Sequence, residues 1–353
     1  MIGPGSAATW PRFPEADRPP EERGLARDAV RLLVSTGDGE VDRRFADLPT
    51  LLRAGDLLVV NDSATVPASL PARGDAGEFL LNLSTEYGPG LWLAEPRWGV
   101  GRPGPLPLRV GDRFRAGSLE ARVVGAFPGI PRLRFVRLRG NVRATMARRG
   151  RPIRYGHLAE VRPLADYQTI FARSPGSAEM PSAGRPFTPS LLDRLRARGI
   201  SVVSITLHTG VSSLELEPAA TAAVPIYPEP FEVPVATVEA IAAARCRGGR
   251  IFAVGTTVVR ALESTVGPGG LRPGRGFTRL YLHPGRSVRA FDGLLTGLHD
   301  ARSTHLALMA AVVGADRLES AYRGAAARGY LWHEFGDSHL ILPEATALPS
   351  AAS

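Results

Sequence analysis

The sequence predicts an α/β main domain with an inserted small antiparallel β-barrel domain, and two observations predict it. After Gly150, strand-like and helix-like segments alternate, which is typical of an α/β domain with a largely parallel sheet. Between residues 67 and 149 the pattern changes to short alternating runs broken by glycine and proline, which is typical of a small antiparallel barrel. We therefore expect the main domain at residues 25–66 and 150–344 and the barrel at residues 67–149.

The individual elements follow from hydrophobic periodicity and turn residues. The main domain starts with strand-like runs at residues 29–35 and 56–61, and the barrel segment has such runs at 79–83, 91–94, 119–124 and 133–138. Further along, the pattern predicts helices at 189–198, 235–247, 257–264, 303–313 and 316–328, and strands at 201–207, 250–254, 279–282 and 339–342. Residues 1–24 and 345–353 lack periodicity, so we expect both segments to be disordered.

The composition bounds the class of protein. A chain of 353 residues that is 44% hydrophobic can bury a large core. Its longest apolar stretch, from Leu306 to Ala315, is much shorter than the roughly 20 residues of a membrane span. The chain starts without the pattern of a signal peptide, and its one cysteine, Cys246, fits a reducing compartment. We expect a cytoplasmic protein with no membrane partner.

All 43 basic residues are arginine, and no lysine occurs. This excludes a Schiff-base lysine, a pyridoxal-phosphate anchor and a P-loop lysine, because each needs a side-chain amine. The net charge of +9 favours a polyanionic partner such as a nucleic acid, since arginine binds phosphate through two parallel hydrogen bonds. The alternative is a compositional bias that replaces lysine with arginine.

A ligand site is predicted where the apolar run 251–254 meets Gly255. Thr256 and Thr257 follow, and one of them is expected to cap the next helix. Free N–H groups and hydroxyls at a helix start bind anionic or polar ligands, and such sites lie beyond the carboxyl ends of strands. The alternative is an ordinary cap with an Arg260–Glu263 pair one turn later.

Histidines supply candidate acids and bases. His208 follows the predicted strand 201–207, which places it at the same edge of the sheet, and histidine titrates near neutral pH. His299 precedes Ser303, a predicted helix N-cap. Histidine and acidic residues also occur together between His333 and His339, but their spacing differs from the His-Glu-x-x-His pattern that binds zinc. We predict no metal site.

Seven segments in a fixed order resemble one known family. They are Arg27-Asp28, residues 55–62, Asp166-Tyr167-Gln168-Thr169, Ser182-Ala183-Gly184, Thr206-Leu207-His208, residues 255–260 and Gly336-Asp337. From Leu25 to Leu342 the chain resembles the S-adenosylmethionine:tRNA ribosyltransferase-isomerases of queuosine biosynthesis. The resemblance implies transfer of the ribosyl part of S-adenosylmethionine to a 7-aminomethyl-7-deazaguanine base in tRNA, with isomerisation to an epoxycyclopentanediol and release of adenine and methionine. S-adenosylmethionine is then a substrate, tRNA is the partner, and no metal is required.

The resemblance also implies the site residues. The titratable candidates for proton transfer are His208, Asp62, Glu229, His299 and Asp337. The substrate-binding candidates are Tyr167, Gln168, Thr169, Ser182, Ala183, Gly184, Gly255, Thr256, Thr257, Arg260, Ser303 and Thr304.

Several positions depart from the family pattern. Pro186 and Tyr227 stand where relatives carry histidine, and Ala64 and Ser69 stand where they carry arginine. Relatives also have asparagine at Gly297 and lysine at Arg302. The arginine-rich stretch from 139 to 154 is one possible replacement for the missing arginines, and a solvated helical face is the other interpretation. The departures motivate two alternatives: a diverged transferase with a small-molecule acceptor, or a catalytically inactive binding protein of the same fold.

Overall fold

The structure is a computed structural model that describes residues 10–99, 102, 104–154, 160, 162–211, 226–299 and 303–343. Residues 1–9 and 345–353, both expected to be disordered, lie outside the described residues, as does Arg302.

Nineteen strands and seven α-helices occur in the part of the chain that the structure describes. The strands are β1 (Arg31–Thr36), β2 (Gly39–Arg44), β3 (Leu57–Asn61), β4 (Ser63–Thr65), β5 (Ser69–Gly74), β6 (Gly77–Gly88), β7 (Leu91–Trp98), β8 (Arg113–Ala116), β9 (Leu119–Ala126), β10 (Arg134–Arg139), β11 (Ser174–Ser177), β12 (Ser201–Leu207), β13 (Glu229–Val233), β14 (Ile251–Val254), β15 (Val266–Gly267), β16 (Gly270–Leu271), β17 (Gly274–Thr278), β18 (Gly293–Gly297) and β19 (Ser338–Ile341). The helices are α1 (Leu48–Leu51), α2 (Val142–Arg149), α3 (Pro189–Ala197), α4 (Val235–Cys246), α5 (Thr256–Ser264), α6 (Thr304–Val313) and α7 (Ala315–Ala327). Short 3-10 turns lie at Pro20–Arg23, Arg27–Ala29, Phe45–Asp47, Leu164–Tyr167 and Ser182–Gly184.

The main domain is built on a nine-stranded sheet with the order β17-β13-β12-β3-β14-β18-β19-β1-β2. The pairs β12–β3, β3–β14, β14–β18 and β19–β1 are parallel, and the other four pairs are antiparallel. The expectation of a largely parallel sheet is therefore wrong, although the α/β class is confirmed. Among the antiparallel pairs, β1–β2 is a hairpin, and so tight a connection allows only antiparallel pairing.

Strand β14 and residues 57–60 of β3, at the centre of the sheet, are apolar because both faces of the sheet are covered. Along β3, Leu57 and Val59 pack with α4, α5, α6 and α7 on one face. Leu58 and Val60 pack with α1 and α3 on the other face. Side chains alternate between the faces of a strand, so a strand that is buried on both faces has a continuous apolar run. This explains why the runs at 56–61 and 250–254 predict strands that the structure confirms.

The inserted segment forms a closed barrel with the strand order β10-β7-β6-β5-β8-β9, in which all pairs are antiparallel. Strand β9 shows the alternation that encloses a core, with Leu119, Ala121 and Val123 buried and Glu120 and Arg122 exposed. Helix α2 follows β10, and its N-cap is Asn141, whose side chain accepts a hydrogen bond from the Ala144 N–H at 3.0 Å. The predicted barrel is confirmed.

The N-terminal segment corrects one expectation. Residues 10–24 are not disordered, because Trp10 is buried and Phe13 partly buried against the main domain. Trp10 and Phe13 pack edge-on against Tyr322 with ring centroids 5.8 and 5.2 Å away. Glu15 forms a parallel β-bridge with Trp332. The proline-rich composition of this segment concealed these few apolar anchors.

The strand expected at residues 279–282 is also wrong. Strand β17 ends at Thr278, where its pairing with β13 ends. Leu280 and Leu282 lie in an irregular segment and pack on the main core. Their alternation reflects burial of a loop, which period-two patterning cannot separate from a strand.

In the ranges that the structure describes, no helix has both the length and the apolar character to span a bilayer.

Candidate active site

Asn61 joins three elements at one edge of the main sheet. Strands β3, β12, β14 and β18 are mutually parallel, so their carboxyl ends share this edge. The Asn61 side chain donates to the Leu207 carbonyl at 2.8 Å and accepts from the Leu207 N–H at 3.0 Å. It also donates to Thr257 Oγ1 at 3.3 Å. Asn61 thus fixes the end of β12, just before His208, against the start of α5.

His208 lies at this edge and is held by Ser63, which Ser177 holds in turn. Its Nδ1 is 2.7 Å from Ser63 Oγ, which in turn is 2.6 Å from Ser177 Oγ. The ring lies directly over Gly176, where an added Cβ would be only 2.6 Å from Nδ1. Burial lowers the pKa of His208 below 6.5, and the nearby Asp62 carboxylate partly opposes this shift. The imidazole is therefore neutral at neutral pH.

Asp62 follows Asn61 and faces β12. Its Oδ1 accepts from Thr206 Oγ1 at 2.6 Å, and its Oδ2 accepts from Ser204 Oγ at 3.4 Å. Asp62 raises the pKa of His208, so the carboxylate favours the protonated imidazole electrostatically. The structure thus brings together these two residues from different parts of the sequence.

Glu229 and Arg260 form a second charged group, one strand away. Glu229 Oε1 accepts from the Gly210 N–H at 2.7 Å, and Oε2 accepts from Arg260 Nη1. The Arg260 Nε also donates to the Leu280 carbonyl at 3.2 Å, while its buried Nη2 has no hydrogen-bond partner among the described residues. The alternative Arg260–Glu263 pair is wrong, because Glu263 accepts from the Arg289 and Ala290 N–H groups instead.

Two histidines lie close to the Glu229–Arg260 pair. The His299 ring is 4.9 Å from the His305 ring, and His299 Nε2 is 2.9 Å from Thr296 Oγ1. Burial lowers the pKa of His299 well below 6.5 and that of His305 to about 4, with the Arg260 charge contributing to the latter. Both rings are therefore neutral at neutral pH. His305 escaped the sequence analysis because a lone histidine on an apolar helix resembles a core residue.

Ser303 and Thr304 lie where α6 begins. Ser303 Oγ accepts from the Leu306 N–H at 3.2 Å, so the predicted N-cap is confirmed. Thr304 is the first residue of α6.

Helix α5 begins differently from the prediction. The N-cap is Gly255, and neither threonine caps the helix with its side chain. Gly255 has a φ of 96°, a left-handed conformation that disfavours a side chain. A Cβ at this position would also be 3.3 Å from the Cβ of Ala183. The Ser182–Gly184 turn therefore lies against the start of α5, as a shared ligand site would require.

Hydrogen bonds to the Gln168 and Thr169 side chains and to the Tyr167 carbonyl hold this segment in place. Gln168 accepts from the Thr65 N–H at 3.0 Å and donates to the Thr65 carbonyl at 2.8 Å. Thr65 Oγ1 donates to the Tyr167 carbonyl at 2.7 Å, and Thr169 Oγ1 accepts from the Phe171 N–H at 3.2 Å. These polar groups attach the segment to β4.

Asp337 supports a small cleft beside the same turn. Its carboxylate accepts from the backbone N–H groups of Arg31 and Leu331, both at 2.8 Å, and burial raises its pKa. The cleft is lined by Ser182, Ala183, Arg185, Gly297, Phe335 and Gly336, among other residues. Residues of three sequence motifs thus border one cleft: Arg27-Asp28, Ser182-Ala183-Gly184 and Gly336-Asp337.

Within the described ranges, no group of three or more histidine, cysteine, aspartate or glutamate side chains is arranged to hold a metal ion.

The fold and the site define a mixed α/β protein with an inserted barrel and a polar site where parallel strands end. The chain belongs to the family described as "Queuosine biosynthesis protein", whose model matches residues 10–341. It is 42% identical over 326 residues to the S-adenosylmethionine:tRNA ribosyltransferase-isomerase of Anaeromyxobacter dehalogenans strain 2CP-C, which covers 90% of this chain and 93% of the relative. The enzyme of the same name from Thermus thermophilus is 38% identical over the same coverage.

A solved structure is similar throughout. The crystal structure of the S-adenosylmethionine tRNA ribosyltransferase from Thermotoga maritima has a TM-score of 0.53 and 28% sequence identity to this chain. The match covers 94% of this chain and 99% of that structure. The similarity thus extends over both the main sheet and the barrel.

Proposed function

We propose that this protein transfers and isomerises the ribosyl part of S-adenosylmethionine onto a 7-aminomethyl-7-deazaguanine base in tRNA, with release of adenine and methionine. The similarity to relatives named for this activity supports the proposal. The observation that carries it is the convergence of the motifs at one sheet edge. Side-chain and backbone hydrogen bonds through Asn61 and Gly210 link the parts of this edge, which are His208, Asp62, Glu229, Arg260 and the start of α5.

His208 is the proposed general base. The reaction needs removal of a proton from the carbon beside the sulfonium, whose positive charge acidifies that carbon. The lowered pKa of His208 keeps its ring neutral and able to accept this proton. When Nδ1–H donates to Ser63 Oγ, the lone pair of Nε2 is free for the proton. Asp62 then stabilises the imidazolium that forms.

Arg260 is the proposed anchor for the methionine carboxylate. A buried guanidinium N–H without an acceptor costs about 1–3 kcal/mol, and a bound carboxylate would restore the missing hydrogen bond. Glu229 uses both oxygens to hold Arg260 and the Gly210 N–H, so we assign it a positioning role. The turn Ser182–Gly184 and the N–H groups at the start of α5 offer the adjacent contacts for the rest of the substrate.

His299 and Asp337 are proposed to position the site and not to transfer protons. The pKa of His299 is too low for the ring to hold a proton at neutral pH. Both Asp337 oxygens already accept backbone hydrogen bonds.

Because the proposed acceptor is tRNA, we place the reaction in the cytoplasm.

The test is release of adenine and methionine from S-adenosylmethionine by the purified protein, with and without tRNA that bears the deazaguanine base. We expect release only with that tRNA, release slowed about 100- to 10,000-fold but still measurable in His208→Ala, and full release in the control His283→Ala, whose histidine is exposed. Release without tRNA would replace the proposal by a diverged transferase. No release under either condition would indicate a binding protein that has lost the chemistry.

A further inference from the structure

The positive charge of this chain is concentrated in one segment. Between Ala121 and Ala159 the sequence has ten arginines and no aspartate or glutamate, while the whole chain has a net charge of +9. The rest of the chain therefore carries a net charge of −1. A compositional preference for arginine over lysine does not explain this concentration, because acidic residues balance arginine elsewhere.

Among the residues that the structure describes, the arginines around α2 have no acidic partner. Earlier in the segment, Arg132 pairs with Glu95, and Arg134 and Arg137 donate to backbone carbonyls. By contrast, no ion pair or side-chain hydrogen bond occurs, within the described residues, for the set that we call the α2 arginines: Arg139, Arg143, Arg148, Arg149 and Arg151. All five are exposed. Three of them lie on the capped helix and two directly beside it, and unpaired arginines held in this way present their donors to a partner outside the protein.

The α2 arginines adjoin the proposed active site. Residues Arg151 and Ser69 exchange two backbone hydrogen bonds, both of 2.9 Å, so their side chains lie on the same side of the ladder. Ser69 is one of the two positions where the family motif has arginine. Arg151 supplies an arginine directly beside this position on the neighbouring segment. On α2, Arg143 is close enough to His208 for its charge to lower the pKa of the imidazole.

We infer that the α2 arginines form the docking surface for the phosphate backbone of the tRNA next to the modified base. The inference rests on the proposed function for the identity of the RNA. Planar guanidinium groups pair bidentately with phosphate oxygens, and each neutralised phosphate releases counterions. The inserted barrel thus supplies electrostatic affinity, while the sheet edge supplies the chemistry.

The test compares tRNA binding by Arg143→Gln/Arg151→Gln with binding by the control Arg194→Gln/Arg198→Gln. The control pair is equally exposed, removes the same charge and lies by the end of α3, near Ser201. That end of β12 is roughly 20 Å from His208. At 0.15 M salt we expect the α2 variant to bind tRNA about 10- to 30-fold more weakly, with a salt-dependence slope smaller by about 1.4–1.8. The control should bind like the parent.

Two outcomes would overturn the inference. Equal weakening in both variants would mean that only net charge matters, and unchanged binding in the α2 variant would exclude this surface. The binding assay contains no S-adenosylmethionine, so its result stands even if the proposed reaction fails. In the adenine-release assay, the α2 variant should show a raised KM for tRNA with kcat retained, because none of its substitutions contacts the reacting atoms.

Discussion

Gly176 tests whether the position of His208 governs turnover. An added Cβ in Gly176→Ala would lie 2.6, 2.7 and 2.8 Å from Nδ1, Cε1 and Cγ of the imidazole. Normal contacts between such atoms are about 3.5 Å or longer, so the ring must move by about 1 Å. This displacement would break the 2.7 Å contact with Ser63 Oγ. A misplacement of about 1 Å can cost about 100-fold in rate, so we expect a loss of that order in adenine release.

The matched control is Gly88→Ala, because nothing lies within 4 Å of a Cβ at that position. Overpacking at Gly176 should also cost about 1–3 kcal/mol of stability, so the thermal midpoint must be measured to show that the variant is folded at the assay temperature. If Gly176→Ala acts through His208, then adding it to His208→Ala should cause little further loss of turnover. A folded Gly176→Ala protein with parental turnover would refute this reasoning.

Four further predictions concern titratable groups, three of the site and one of the core. Because a neutral imidazole is needed, kcat/KM should fall on the acid side with an apparent pKa lower than that of an ordinary histidine, and His208→Ala should remove this acid limb from a pH–rate profile. Glu229→Gln leaves the buried Arg260 charge uncompensated, so urea denaturation should show a loss of about 3–5 kcal/mol; an unchanged midpoint would contradict the ion pair. Asp337→Asn removes one acceptor and should cost about 1–3 kcal/mol, with turnover per folded molecule retained. Burial lowers the pKa of His339 to about 3, so the unfolded chain binds a proton that the native state excludes as pH falls from 6.5 towards 3. The stability that His339 contributes above pH 6.5 is lost in this range at about 1.4 kcal/mol per pH unit. His339→Leu should reduce the slope of stability against pH between about pH 6 and 4 by this amount, while His299 and His305 keep their own contributions.

The elements that could be predicted are those that bury both faces. Strand β14 and residues 57–60 of β3 are apolar because helices cover both sides of the sheet. Strand β2 was not predicted, because its sequence, Gly39–Arg44, is mostly polar at the edge of the sheet. Strand β18 is short and contains two glycines, which obscured its buried interior. Edge pairing depends on a neighbouring strand and leaves little trace in the local sequence.

The sequence by itself determined the α/β class, the inserted barrel, the family resemblance and the place of His208 at the end of a strand. Each of these depends on local periodicity or on a contiguous motif. Only the tertiary structure decided that His208 contacts Ser63, 145 positions away, and that Ser63 contacts Ser177, 114 positions away. It also decided that Arg260 pairs with Glu229 and not with Glu263. Hydrogen-bond partners and pKa values depend on which chain segments pack side by side, and the order of residues does not state this.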